Sequence, residues 1–536
     1  MSFGFSHSFG VDPSGRPAEP AAQAMATAGR AYLAGDRAEA EQICRGLIAR
    51  EPRHFDALHL LGVVCLDRSQ WADAVGYLRR ATHEQPDDAR AHYHLGSALL
   101  GLKQYALAET ALRRAVALQP GDISPLNNLG NALAASGRHD EAIACYRQFT
   151  PGDAGYVPAC FNLGRSLVAL GRPEEAVAAF RAALAHVSAD TDPGRLADLH
   201  TDLGHALVEL RRHDEAFVAY RASAAVRPQA AAWNESLLLL LLGRYPEGWR
   251  QYEHRWGLPD HDPPRADARV PDLAAVAGRR VLLTPEQGRG DMIQFARYAP
   301  LLAARGARVT LQTYPELRPL LRTLDRVARV VALGESEPPA DIVMPLLSLP
   351  LVFGTRLETI PARVPYLRAP PDRLAAWRRR LGPRTEPRVG LAWWGSQHIA
   401  KRSLPAEALV PLLSCPGIEL HAVQKELPPG QSVRLAGHRL PIDHHAGLRD
   451  YADTAALISL LDLVVTIDTS VAHLAGALGK PVWIMLPYSA DWRWLLDRDD
   501  SPWYPTARLF RQQRPGDWGD VVAEVAQHLE ARVARR

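Results

Sequence analysis

The sequence predicts an α plus α/β architecture: an N-terminal α-helical solenoid followed by two Rossmann-like domains, each built on a parallel sheet. Three observations predict it. Glycines recur through the first half at a nearly constant interval. Beyond residue 278, short β-rich apolar runs alternate with helical stretches. Between the halves, GLPDHDPPRADARVPDLAAVAG (257–278) is rich in Pro and Asp and has no period, which marks a linker. A chain of 536 residues is also too long for one ordinary core.

Punctuation identifies the solenoid. Gly29, Gly62, Gly96, Gly130, Gly164 and Gly204 are separated by 33, 34, 34, 34 and 40 residues. Ala74, Ala108, Ala142, Ala176 and Ala216 each stand twelve residues after one of these glycines, and Pro86, Pro120 and Pro228 stand twenty-four after. A period near 34 with small residues at two fixed positions predicts helix–turn–helix units, with proline breaking the chain before the next unit. The pattern resembles the tetratricopeptide repeat over residues 20–256. It departs from it at SADTDPG, an insertion ahead of Gly204, and at WNESLLLLLLGRYPEGWRQYEHRW, which lacks the glycine and is expected to cap the stack.

Equal repeat positions stack into ladders. His94, Asn128, Asn162 and Asp202 precede the glycines by two residues, and Ser97, Asn131, Arg165 and His205 follow them by one. Such groups can hydrogen-bond an extended backbone. They form either an acceptor groove for a protein (His94, Asn128, Asn131, Asn162, Asp202) or a solvated helix face.

In the second half, strands are expected at 279–285, 308–314, 329–333 and 341–346, and again at 388–395, 418–424, 461–468, 481–486 and 507–512. Strand–helix alternation predicts parallel sheets. A Pro/Arg-rich piece near 361–387 divides the two sets, giving domains at 279–370 and 386–536. In such sheets ligands sit beyond the carboxyl ends of the strands, which singles out three stretches.

The first is TPEQGRGDMIQFARYAPLL, where Gly288 and Gly290 allow close backbone approach and Asp291 is either a general base or a helix cap. Ile293 stands where the third glycine of a dinucleotide fingerprint belongs, which excludes that motif. The second is RVGLAWWGSQHIAKRSLP, where Lys401 or Arg402 either neutralises a diphosphate or is a solvated loop charge. The third is LDLVVTIDTSVAHLAGALGKPVWIML. Here Asp468, Thr469 and Ser470 occupy the turn and the helix start, whose free N–H groups suit a phosphate, and His473 lies one turn on.

Other chemistry is disfavoured. There is no P-loop, H-E-x-x-H or G-x-S-x-G motif. Five scattered cysteines without a C-x-x-C argue against disulfides or zinc, and His444-His445 read as surface histidines. A net charge of +3 gives no field for nucleic acid or a membrane surface. The start lacks a signal-peptide pattern, and the longest apolar run is Leu237–Leu242, so a cytoplasmic location without a membrane span is expected.

GRGDMIQFARYAPLL and DTSVAHLAGALGKPVWIML resemble segments of heptosyltransferase-type GT-B glycosyltransferases. With the repeats in front, the chain resembles bacterial relatives of protein O-linked N-acetylglucosamine transferase, flagellin glycosyltransferases among them. DWRWLLDRDDSPWYPTARLFRQ belongs to the most specific part of the likeness. The resemblance implies metal-independent, inverting transfer from a nucleotide sugar, with no cofactor beyond that donor. By position, Asp291 matches the base. Gly288, Gly290, Asp468, Thr469, Ser470 and His473 match the donor site. Lys401 or Arg402 matches a diphosphate contact, and Gln424 a contact to the nucleotide base. A long solenoid tilts the acceptor toward a protein Ser/Thr hydroxyl, with flagellin implied by resemblance. A heptosyltransferase-like enzyme acting on a glycan or lipid-linked saccharide, and a non-catalytic repeat scaffold, are the alternatives.

Overall fold

The computed structural model describes residues 20–258, 268, 270–395, 402–425 and 441–534. The chain divides into two compact units, the first ending at Ala206 and the second beginning at Leu207.

The first unit is helical. Its elements are α1 (Pro20–Leu33), α2 (Arg37–Arg50), α3 (Phe55–Asp67), α4 (Trp71–Glu84), α5 (Ala89–Gly101), α6 (Tyr105–Leu118), α7 (Ser124–Ala135), α8 (His139–Tyr146), α9 (Tyr156–Ala169), α10 (Pro173–Ala185) and α11 (Pro193–Glu209), the last crossing the boundary. The repeat glycines mark close approach within each helix pair. A Cβ on Gly62 would lie 2.4 Å from Leu78, on Gly96 2.5 Å from Leu112, on Gly130 2.5 Å from Tyr146 and on Gly164 2.4 Å from Phe180. Each partner stands sixteen residues downstream, on the second helix of the pair. The alanines at the other fixed position, Ala74, Ala108, Ala142 and Ala176, are fully buried. Two constraints of size therefore hold the 34-residue period in place, and the apolar seam between successive pairs is the core of this unit.

The second unit begins with α12 (His213–Ser223), α13 (Pro228–Leu241) and α14 (Tyr245–Tyr252) and continues into two sheets. The first sheet contains β1 (Arg280–Thr284), β2 (Arg308–Thr313), β3 (Arg329–Ala332) and β4 (Ile342–Pro345), in the order β3-β2-β1-β4. The second contains β5 (Arg388–Ala392), β6 (Glu419–Ala422), β7 (Leu463–Ile467), β8 (Val482–Leu486) and β9 (Ala507–Arg511), in the order β6-β5-β7-β8-β9. Every pairing between these strands is parallel. Each of the nine expected runs forms a strand, shortened by a residue or more at one or both ends. The runs are buried on both faces, as continuous apolar patterns require. Strand order reverses at β1/β4 and at β5/β7, so the crevices at those two positions are where a ligand belongs.

The hairpin α13–α14 does more than terminate a stack. Trp249 packs edge-on against Phe295 and Trp492, and Tyr245 accepts the indole N–H of Trp503 at 3.2 Å. In the turn after α14, Arg255 is fully buried and enters the β1/β4 crevice. Its Nε donates to Glu286 Oε2 at 2.8 Å and its Nη2 to Ser348 Oγ at 3.0 Å, while the Leu347 N–H donates to Glu286 Oε1 at 2.8 Å. Burial pushes the Glu286 carboxyl up, and Arg255 pulls it back. One switch-point crevice is therefore filled by the helical hairpin itself.

Two predictions follow from this packing. Gly96→Ala is expected to destabilise the first unit by about 1–3 kcal/mol through overpacking against Leu112. Gly76→Ala, with open space around it on α4, is expected to be neutral or stabilising by up to about 1 kcal/mol. Chemical denaturation of the two variants checks the contrast. Arg255→Met leaves Glu286 buried and unpaired and is expected to destabilise the second unit by about 3–5 kcal/mol, read from its melting transition.

Candidate functional site

The two α/β domains meet where the loop after β1 faces the loop after β7. The chain turns through Gln287, whose φ of 58° lies in the left-handed region and is supported by Tyr314 Oη–H donating to its carbonyl at 2.6 Å. Gly288 then caps the helix Arg289–Phe295. Across the junction, the helix Ser470–Ala477 starts at Thr469, whose side-chain oxygen accepts the Val471 N–H at 3.3 Å. A Cβ on Gly290 would sit 2.9 Å from His473 Cδ2 and 3.5 Å from Ser470 Cα. The second glycine of G-R-G-D thus permits the contact between domains.

A chain of alternating charges runs through this junction. Asp468, at the end of β7, lies 2.9 Å from Arg402, and Arg402 lies 3.1 Å from Asp491. Asp491 lies 2.8 Å from Arg493, and Arg493 lies 2.5 Å from Asp291 on the other domain. The remaining Arg493 donor, Nε, reaches Gln294 Oε1 at 2.9 Å. Arg493 also lies 4.3 Å from the centre of the Trp492 ring. Asp468 and Arg493 are buried. Burial raises the Asp468 carboxyl, with Arg402 opposing. Burial would raise Asp491 as well, but Arg493 and Arg402 outweigh it and hold that carboxyl well below its ordinary range.

The expected site residues fall into three groups. Gly288, Gly290, Asp291, Arg402, Asp468, Thr469, Ser470 and His473 come together at the junction. The Asp291 carboxylate takes the Gly288 N–H at 2.9 Å on Oδ2 and Arg493 on Oδ1, so it caps its helix and forms an ion pair across the domains. Ser470 Oγ accepts from Tyr451 at 2.9 Å. His473 is buried, its Nδ1 3.0 Å from the Tyr504 hydroxyl and its ring stacked on Trp494, and burial lowers its pKa to about 3. Gln424 stands apart from these, with its Oε1 accepting the N–H groups of Trp393 at 2.9 Å and Trp394 at 3.2 Å, and so shapes the turn after β5. Lys401 lies outside the described residues.

Arg493, Asp491 and Gln294 were not singled out from the sequence. The signal was present in D-W-R-W, an acid and a base two residues apart between large aromatics, but nothing local shows that the arginine reaches the facing domain. One expectation is corrected. His444 is not a surface histidine: it is 4% exposed, with its Nε2 2.9 Å from His421 Nδ1. Its strand-like neighbour Ile442 pairs with His421 and carries it inward. Among the described residues, no group of three or more His, Cys, Asp or Glu is placed to hold a metal ion, and no helix is long and apolar enough to cross a membrane.

In the first unit, polar side chains of neighbouring helix pairs bond one another, but between unequal repeat positions. His59 Nε2 lies 2.8 Å from His94 Nδ1, Asn128 Nδ2 donates to Ser97 Oγ at 2.9 Å, Asn162 Nδ2 donates to Asn127 Oδ1 at 3.0 Å, and Arg165 lies 3.5 Å from Asp202. Asn131 instead accepts from the Tyr146 hydroxyl at 2.8 Å. Of the groups expected to meet a partner, His94, Asn128, Asn162 and Asp202 are thus linked to a neighbouring repeat, while Asn131 is bonded within its own, and these contacts are partly buried.

Models of the tetratricopeptide repeat match residues 26–81, 66–123, 123–150 and 157–185, so the N-terminal helix pairs over those residues are tetratricopeptide repeats. Protein FlbA of Caulobacter vibrioides is 28% identical over 338 residues, 54% of this chain and 53% of FlbA. The chain thus spans about half the length of that curated relative. Among solved structures, a crystal structure of MamA is 27% identical with a TM-score of 0.28, covering 30% of this chain and 93% of MamA. YrrB, described as a TPR protein with an unusual peptide-binding site, is 17% identical with a TM-score of 0.30, covering 36% of this chain and 98% of YrrB.

The histidine pair carries a pH prediction. Burial lowers His59 to about 4 and His94 to about 3, from an ordinary value of 6.5. The folded state therefore keeps both rings neutral while the unfolded chain takes up protons. Stability is full above pH 6.5 and falls as the pH drops from 6.5 toward 4. The melting temperature of the first unit is expected to fall over that window, and less steeply in a His59→Asn/His94→Asn variant.

Proposed function

We propose that the protein is a glycosyltransferase of GT-B type that moves a sugar from a nucleotide-sugar donor to a Ser or Thr hydroxyl of a protein held by the repeats. The observation that carries the proposal is the junction itself. Two strand ends on facing parallel-sheet domains converge on three carboxylates, two guanidiniums and a helix N-terminus. These groups have complementary tasks. The helix start at Ser470 and the guanidiniums of Arg402 and Arg493 suit a diphosphate. Asp291, on the facing domain, suits the acceptor side of the cleft. There it takes the proton of the attacking hydroxyl while the oxygen bonds to the anomeric carbon and the nucleoside diphosphate leaves with the electron pair of the broken bond. The ladder of amides and imidazoles in the solenoid suits an extended polypeptide, whose backbone groups it can pair with in place of its own cross-repeat bonds.

One observation favours the scaffold alternative. Both oxygens of Asp291 already accept hydrogen bonds, one from Gly288 and one from Arg493, as a purely structural latch would require.

Release of the nucleotide (UDP, GDP, ADP or CMP) from a panel of UDP-, GDP-, ADP- and CMP-activated sugars, with and without flagellin as the protein acceptor, separates the two. The transferase reading expects one donor to be turned over and the acceptor to accelerate turnover. Asp291→Ala is then expected to slow it by about a hundredfold or more while the nucleotide still binds. Turnover unaffected by Asp291→Ala removes that residue as the base, and no turnover of any donor favours the scaffold.

A further inference from the structure

We infer that Arg493 is a switch for Asp291: it holds the carboxylate and surrenders it when the diphosphate of the donor takes the guanidinium. The inference rests on the donor reading above and adds how the same site is regulated.

All three faces of the Arg493 guanidinium are engaged, with Nε on Gln294, Nη1 on Asp491 and Nη2 on Asp291. These partners are unequal. Asp491 is tied three ways, since it also accepts the Arg493 backbone N–H at 3.0 Å and lies beside Arg402. Gln294 is neutral. Asp291 is the charged partner contributed by the facing domain, and a second hydrogen bond from Gly288 holds it in place without Arg493.

The place where a phosphate would enter is adjacent. Gly290, one residue before Asp291, packs on Ser470 and His473 at the start of the helix that follows β7. A dianion there lies beside a chain that already carries three carboxylates and two guanidiniums. The added charge competes for arginine, and a guanidinium meets phosphate through paired hydrogen bonds. The Asp291 bond yields first, because its partner comes from the other domain and keeps a hydrogen bond of its own. Asp291 then becomes available to a proton only after the donor is bound, which orders the reaction as donor first, acceptor second.

This gives a result that a permanent latch does not. If the diphosphate must displace Asp291 from Arg493, removing the charge at 291 strengthens diphosphate binding. Asp291→Asn keeps an oxygen for the Gly288 cap and removes the competitor. Calorimetric titration of the full chain with UDP, ADP, GDP and CDP is expected to show the preferred nucleotide binding Asp291→Asn about fivefold or more tighter than wild type. Gln294→Leu tests the same point without touching a charge. Gln294 Nε2 is buried without a hydrogen-bond partner among the described residues, so leucine removes only the bond to Arg493 Nε, and binding is expected to shift in the same direction by less. The Gln294→Leu result decides the matter if Asp291→Asn does not fold. Equal or weaker binding in the folded variants overturns the switch and leaves the donor reading standing. Failure of all four nucleotides to bind wild type overturns the donor reading, and the switch with it.

Discussion

The ionic chain Asp468–Arg402–Asp491–Arg493–Asp291 is the constraint on which the second unit depends. Charges removed from water must be paired, and here no pair is complete in isolation. Each arginine is shared between two acids, and the last acid belongs to the facing domain. Around it Trp492 packs against Trp249 and Phe295, and Trp494 against His473, and the burial of Asp468 and Arg493 strengthens their attractions. The segment carrying Asp491 to Trp494 therefore touches the second sheet's site, the first α/β domain and the helical hairpin together.

The helical hairpin belongs to the second unit. Arg255 completes the β1/β4 crevice with Glu286 and Ser348, so α13 and α14 are as much a wall of the α/β half as the end of a repeat array. The compact-unit boundary accordingly falls within α11 rather than at the Pro- and Asp-rich segment after residue 256. With β1/β4 filled by the protein itself, the second switch point, β5/β7, is the one that Arg255 leaves unfilled.

The sequence was informative wherever one residue type answers to one local constraint. The glycines opposite Leu78, Leu112, Tyr146 and Phe180 showed as a period because each must be small. The nine strands showed because burial on both faces demands continuous apolar runs. Gly290, Asp291 and the D-T-S turn were legible for the same reason: strand, turn and helix start are contiguous. Contacts that join distant segments were not. Nothing near Arg493 points to Asp291, 202 residues away, and nothing near Arg255 points to Glu286. Gln424 ends a strand as a ligand-binding residue would, yet its oxygen is used by the Trp393 and Trp394 N–H groups. His444 stands next to an exposed histidine, but the pairing of Ile442 with His421 turns it inward.

The central claim, that the junction of the two α/β domains receives a sugar nucleotide, is tested most directly by following the melting of the full chain with UDP, ADP, GDP and CMP in turn. A nucleotide at about 100 times its dissociation constant adds roughly 2.7 kcal/mol to the unit it binds, enough to separate the second unit's transition from the first. The account predicts that one of the four raises the second unit's transition and leaves that of the repeats in place. A chain whose melting is unchanged by all four, at concentrations up to the millimolar range, contradicts it.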